Sequence, residues 1–90
     1  NRELNFLFDN YIHYSEIEIL LFQNSKIKKL ISMSLSDVYI DKKLPEGKKS
    51  YTLSFRLMDN EKTLTEKEIQ STMNKIQNII ENKFIATLRS

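Results

Sequence analysis

The 90-residue sequence predicts an α+β domain in which four antiparallel strands form one sheet and two helices cover one of its faces. Three observations carry that expectation. Four segments place apolar residues at every second position, the spacing of a strand with one buried face. Two segments between them open on helix-capping signatures and repeat apolar residues at helical spacing. The only Pro and the only Gly fall together, between the second and third strand-like segments.

In chain order, residues 2–8 place Leu4, Phe6 and Phe8 on one parity and read as the first strand, ended by Asp9 and Asn10. Ser15 followed three residues later by Glu18 forms a capping-box pattern, with Tyr14 and Ile19 at the staple positions. Residues 16–24 then read as a short helix with Ile17, Leu20 and Leu21 inward. Over residues 27–40 the period changes, and Ile31, Met33 and Leu35 alternate with Ser32, Ser34 and Ser36. Leu44-Pro45-Glu46-Gly47 supplies a turn with Pro at its second position and Gly at its fourth. Tyr51, Leu53, Phe55 and Leu57 follow, alternating with Ser50, Thr52, Ser54 and Arg56, and complete a hairpin. A second capping box at Thr65 and Glu68, with Leu64 and Ile69 as staple, opens an amphipathic helix of about 17 residues carrying Ile69, Met73, Ile76 and Ile80. Phe84, Ala86 and Leu88 alternate with Ile85, Thr87 and Arg89 as the last strand. The order is βαββαβ, the ferredoxin-like split unit, with strands one and three central and one sheet face left open.

Composition narrows the chemistry. The chain has no Cys, hence no disulfide framework, thiolate metal site or Cys nucleophile, which suits a reducing compartment and a cytoplasmic location. No apolar run approaches the roughly 20 residues of a membrane helix, so no membrane association is expected. The sequence starts at Asn1 rather than Met, with Arg2 already at the start of a strand, and reads as one domain excised from a larger chain. The formal net charge is +2, but residues 26–49 alone carry +4. That segment can steer an anionic partner or form a solvated Lys-rich hairpin.

Catalytic constellations are lacking. His13 is the only histidine and has no second His or Cys nearby to complete a site. Glu16 with Glu18, and Asp59 with Glu61, stand beside helix starts, where acidic residues suit the helix dipole. The loop Asp9-Asn10-Tyr11-Ile12-His13 has no Gly, Arg or Lys, which argues against an acyl-phosphate nest and against close backbone approach by a regulatory amino acid. The open sheet face is different. Its polar parity would show Glu3, Asn5, Ser32, Ser34, Ser36, Thr52, Ser54, Arg56, Thr87 and Arg89, groups able to hydrogen-bond sugars and base edges. It lacks paired stacking aromatics, and cross-strand hydroxyl pairing on a solvated sheet is the competing reading.

The order of several motifs adds a resemblance. Arg2-Glu3-Leu4-Asn5-Phe6 resembles the R-D-L-S-F opening of the ferredoxin-fold anticodon-binding domain, which ends the β subunit of bacterial phenylalanyl-tRNA synthetase and also the single-chain mitochondrial enzyme. Asp37-Val38-Tyr39 is similar to its D-V-Y, and Leu44-Pro45-Glu46-Gly47-Lys48-Lys49-Ser50 to its hairpin turn, letter for letter. Residues 59–68 follow the family pattern D-x-E-R-T-L-T-D-E-E, and Ala86-Thr87-Leu88-Arg89 follows A-x-L-R. Three positions depart: Glu3 replaces Asp, Lys62 replaces an Arg and loses its planar fork, and Ile85 stands where Gly is usual, predicting a changed backbone before the last strand.

The resemblance implies a non-catalytic module that contacts the anticodon stem-loop of phenylalanine tRNA. The parent it implies is a ligase using ATP and magnesium, an α2β2 assembly with catalysis on the α subunit, so this fragment itself would hold no cofactor. Phosphate contacts fall to Lys48 and Lys49 on the matched turn. Base or sugar contacts fall to Ser34, Ser36, Thr52, Ser54 and Arg56, joined by Asn5 and Arg89. The alternative is a protein-packing module on the same fold, with no direct RNA contact.

Overall fold

The computed structural model describes residues 2–25, 27–40 and 42–89. Its elements are β1 (Arg2–Asp9), α1 (Tyr14–Ile19), β2 (Leu30–Tyr39), β3 (Lys48–Leu57), α2 (Glu66–Phe84) and β4 (Thr87–Arg89). One antiparallel sheet forms in the order β2-β3-β1-β4, so the first and third strands are central, as the pattern predicts. Both helices pack on one face. Phe6 and Phe8 of β1 and Leu53 and Phe55 of β3 share a core with Ile17 of α1 and with Met73, Ile76 and Ile80 of α2. Phe8 lies at its aromatic centre, 5.7 Å from Phe6, 5.5 Å from Tyr51 and 5.9 Å from Phe84 between ring centroids. Each such tilted or edge contact adds about 0.5–1.5 kcal/mol beyond area burial.

The two helices are capped differently. At α2 the predicted box forms: Thr65 Oγ1 accepts from the Glu68 amide at 3.1 Å, and the Thr65 amide donates back to Glu68 at 3.2 Å. At α1 the predicted Ser15–Glu18 box does not form. The helix starts earlier, with His13 as N-cap in extended backbone and its amide donating to the Glu16 carboxylate at 2.8 Å. Glu18 instead accepts from the Tyr14 hydroxyl at 3.0 Å. The helix then loosens into a π-helical turn over Leu20–Asn24, which turns both Leu20 and Leu21 inward. The turn closes with the Ser25 amide donating five residues back to the Leu20 carbonyl at 2.9 Å.

Four further details differ from the periodic reading. The β2–β3 ladder shifts register between Leu30 and Ser32 and again between Leu35 and Asp37. The first bulge buries Leu30 and leaves Ile31 exposed, the reverse of the alternation. The hairpin turn closes one residue later than expected, with the Lys48 amide donating to the Pro45 carbonyl at 3.2 Å. Gly47 is therefore the third turn residue, with φ +79, a conformation that disfavours any side chain. Its carbonyl accepts from the Asn10 amide at 2.8 Å, fastening the hairpin to the loop after β1. Phe84 belongs to α2 and the core rather than to the last strand, and β4 is only Thr87–Arg89. Between them Ile85 adopts φ 52 and ψ 41. The backbone there keeps the left-handed form that Gly prefers, despite the β-branched side chain.

Candidate nucleic-acid interface

Residues opposite one another in a ladder share a sheet face, so the register fixes what the open face displays. Ser34, Ser54 and Glu3 line up across β2, β3 and β1. The next row is Asp37, Thr52, Asn5 and Arg89, and the one after it is Tyr39, Ser50, Leu7 and Thr87. At the other end of the face Arg56 stands opposite Ser32. Ser32, Met33, Ser34, Ser54 and Arg56 border a shallow groove of about 250 Å³. Ser36 occupies the second bulge, and its hydroxyl donates to Glu3 Oε2 at 3.2 Å. Asn5 Oδ1 accepts from the Ser50 hydroxyl, which is 1 % exposed between its cross-strand neighbours Leu7 and Tyr39.

Seven of the nine site residues expected from the sequence thus lie together: Asn5, Ser34, Ser36, Thr52, Ser54, Arg56 and Arg89. Lys48 joins them at the hairpin end, but it is committed to an ion pair with Asp9 at 2.6 Å. The other Asp9 oxygen accepts from the Tyr11 hydroxyl at 3.1 Å. Lys48, then Tyr11, hold the Asp9 carboxyl below its ordinary value. Lys49 is the exception to the shared face. It has the opposite parity, is 8 % exposed, and sets its ammonium 4.8 Å from the centre of the Tyr51 ring. Its charge is spent on a cation–π contact at the covered side rather than offered beside the open face.

Asp37 and Tyr39 were missed by parity counting. An unbroken alternation through Ser32, Ser34 and Ser36 would turn both of them inward. The bulge after Leu35 adds one residue to β2 and reverses the parity beyond it, which brings a tyrosine onto a face otherwise lacking aromatics. The only sequence signal for it was the Asp37-Val38-Tyr39 motif itself.

The basic segment does not fold into one patch. Lys28 and Lys29 precede β2, whereas Lys42, Lys43, Lys48 and Lys49 follow it, and a ten-residue strand separates the two groups by about 30 Å. At the first end Glu68 gathers charges. Its carboxylate meets Lys62 at 2.9 Å and Lys29 at 3.3 Å while still closing the Thr65 cap. The Lys62 hydrogen bond, followed by the Thr65 amide, brings Glu68 down to about 2. A single ammonium on one oxygen suffices there, so the fork lost at Lys62 is not needed for this contact. The remaining acidic pairs are structural. Glu16 and Glu18 serve α1, and Asp59 Oδ1 accepts from the Glu61 amide at 2.9 Å in the turn after β3.

Comparison with known proteins agrees with this architecture. Over residues 1–89 the chain matches the family described as "Ferredoxin-fold anticodon binding domain". It is 44% identical over 88 residues to a phenylalanine–tRNA ligase beta subunit of Porphyromonas gingivalis. Identity is 42% to the corresponding subunit of Bacteroides fragilis and 38% to that of Idiomarina loihiensis. Each match covers 98% of this chain and 11% of the relative, so the chain spans about a tenth of the length of those proteins. With the β2-β3-β1-β4 sheet, its two covering helices and the matched residues together, the chain belongs to the ferredoxin-fold anticodon binding domain family.

Proposed function

We propose that this domain binds the anticodon stem-loop of a phenylalanine tRNA through the open face of its sheet, as a module of a phenylalanine–tRNA ligase β subunit. The observation that carries the reading is the row structure of that face. Serine and threonine hydroxyls of β2 and β3 are flanked by Arg56, Arg89 and Tyr39, in a chain whose family is named for anticodon binding. Hydroxyls allow close approach and can donate to or accept from unpaired bases and ribose. Ser34, Ser36, Thr52, Ser54 and Asn5 take that role, Arg56 and Arg89 pair with base edges or phosphates, and Tyr39 supplies one stacking surface. Lys48 contacts phosphate by exchanging Asp9 for the RNA, whereas Lys49 stays under the hairpin. In this reading the domain performs no chemistry. Aminoacylation with ATP and magnesium belongs to the other parts of a cytoplasmic α2β2 enzyme.

The test is chemical-shift mapping of the labelled domain with a phenylalanine-tRNA anticodon hairpin and a scrambled-loop control. Shifts at Ser34, Thr52, Ser54 and Arg56 that are larger for the cognate hairpin are expected. Lys48→Ala should weaken both RNAs alike and reduce the salt slope by about 0.7. Shifts confined to the helical face, or none at millimolar RNA, would replace this reading with a protein-packing module.

A further inference from the structure

On the covered side, away from the open face, a cleft of about 340 Å³ lies between the segment leading into β2 and one flank of α2. Its walls are Ile27, Lys28, Lys29, Ser71, Thr72 and Lys75. Three of the six lining residues are lysines, and none is Asp or Glu. Lys29 is held by Glu68, and the Thr72 hydroxyl is committed to the Glu68 carbonyl at 2.9 Å. Lys28, Lys75 and the Ser71 hydroxyl are uncommitted among the described residues. Ser71 and Lys75 are one helical turn apart on α2, so they present a donor and a cation on one stripe facing Lys28.

We infer that this cleft is a docking site for an acidic protein segment, with Lys28 and Lys75 pairing its carboxylates and Ser71 donating to one of them. Charge complementarity selects an anion, and the lining selects which kind. None of the lining side chains is aromatic or Arg, so a nucleobase finds no stacking partner. The sheet stands between the cleft and the open face, so one RNA hairpin cannot occupy both. Lysine ammoniums are point charges that accept carboxylates from many directions, which suits a flexible acidic segment crossing the cleft.

The labelled domain titrated with poly-glutamate, with poly-glutamine as the neutral control, tests this directly. The expected result is saturable shifts at Lys28, Ser71, Thr72 and Lys75 for poly-glutamate alone, weakened about tenfold in Lys28→Glu/Lys75→Glu. Both substituted side chains are at the surface, and the variant's unchanged thermal unfolding would show that the fold persists. No shifts at millimolar peptide, or shifts equal in the charge-reversed variant, would overturn the assignment. So would stronger shifts of the same amides with the anticodon hairpin, which would make the cleft a phosphate site. The double reversal should leave hairpin binding on the open face intact, so this proposal and the anticodon reading can fail separately.

Discussion

Ser54 and Phe55 are consecutive in β3, yet Phe55 is fully buried in the core that both helices share while Ser54 lies in a polar row with Ser34 and Glu3. The same contrast runs through β1, where Phe6 and Phe8 fill the core and Asn5 faces outward. One face is defined by burial of large side chains that must fit one another. The other consists of small hydroxyls and a few charges that cost little to change. In the proposed reading, stability and recognition fall to alternate residues of the same strands. Substitutions can separate them.

The largest effect is expected at the core. Phe55→Ala should lower unfolding stability by about 3–5 kcal/mol in urea denaturation, because it removes a fully buried ring and leaves a cavity. Its neighbour Ser54→Ala should stay within about 0.5 kcal/mol of the parent. A comparable loss at Ser54 would mean that the open face is also part of the core. Next comes Arg56→Ala, expected to cut affinity for the cognate hairpin about tenfold while barely changing stability. Equal losses on cognate and scrambled hairpins would reduce Arg56 to a general electrostatic contact.

The covered face also depends on how α2 is fixed at its two ends. Ile85→Gly should raise stability by about 1 kcal/mol, because a β-branched residue at φ 52 is strained and its side chain is 84% exposed. A loss instead would show that the Ile85 side chain packs in solution. The smallest effect concerns Glu68. Its folded pKa of about 2 lies below the ordinary glutamate value of 4.5, so its contribution is fully present above that value. It is lost as pH falls through about 2, when protonation releases Lys62 and Lys29. Glu68→Gln should flatten this acid limb in unfolding experiments, and an unchanged limb would place the titration elsewhere.

The degree to which each feature was legible follows how local its cause is. The Thr65–Glu68 cap formed as read because all its partners lie within four residues. The cap at α1 did not: Glu16 closes on the His13 amide instead, and Glu18 accepts from the hydroxyl of Tyr14, which packs against the core. On the interface, Asn5, Thr52, Ser54 and Arg56 were legible from period-two alternation in β1 and β3, which pair without register shifts. Asp37 and Tyr39 were not, since a bulge is set by a pair of strands and the alternation within β2 does not show it. Lys49 looks like its neighbour Lys48 in composition, but its opposite parity puts it beside the Tyr51 ring on the covered side, whereas Lys48 pairs with Asp9.

The sequence by itself determined the βαββαβ order, the inward faces of β1, β3 and α2, and the turn that needs Gly47. Periodicity, capping and backbone conformation are properties of a few consecutive residues. The tertiary structure decided the register of β2, the burial of Lys49, the charges gathered on Glu68 and the division of the basic segment between two ends of the molecule. Each of these depends on which distant side chain is packed or paired alongside, a choice made only when the strands and helices assemble.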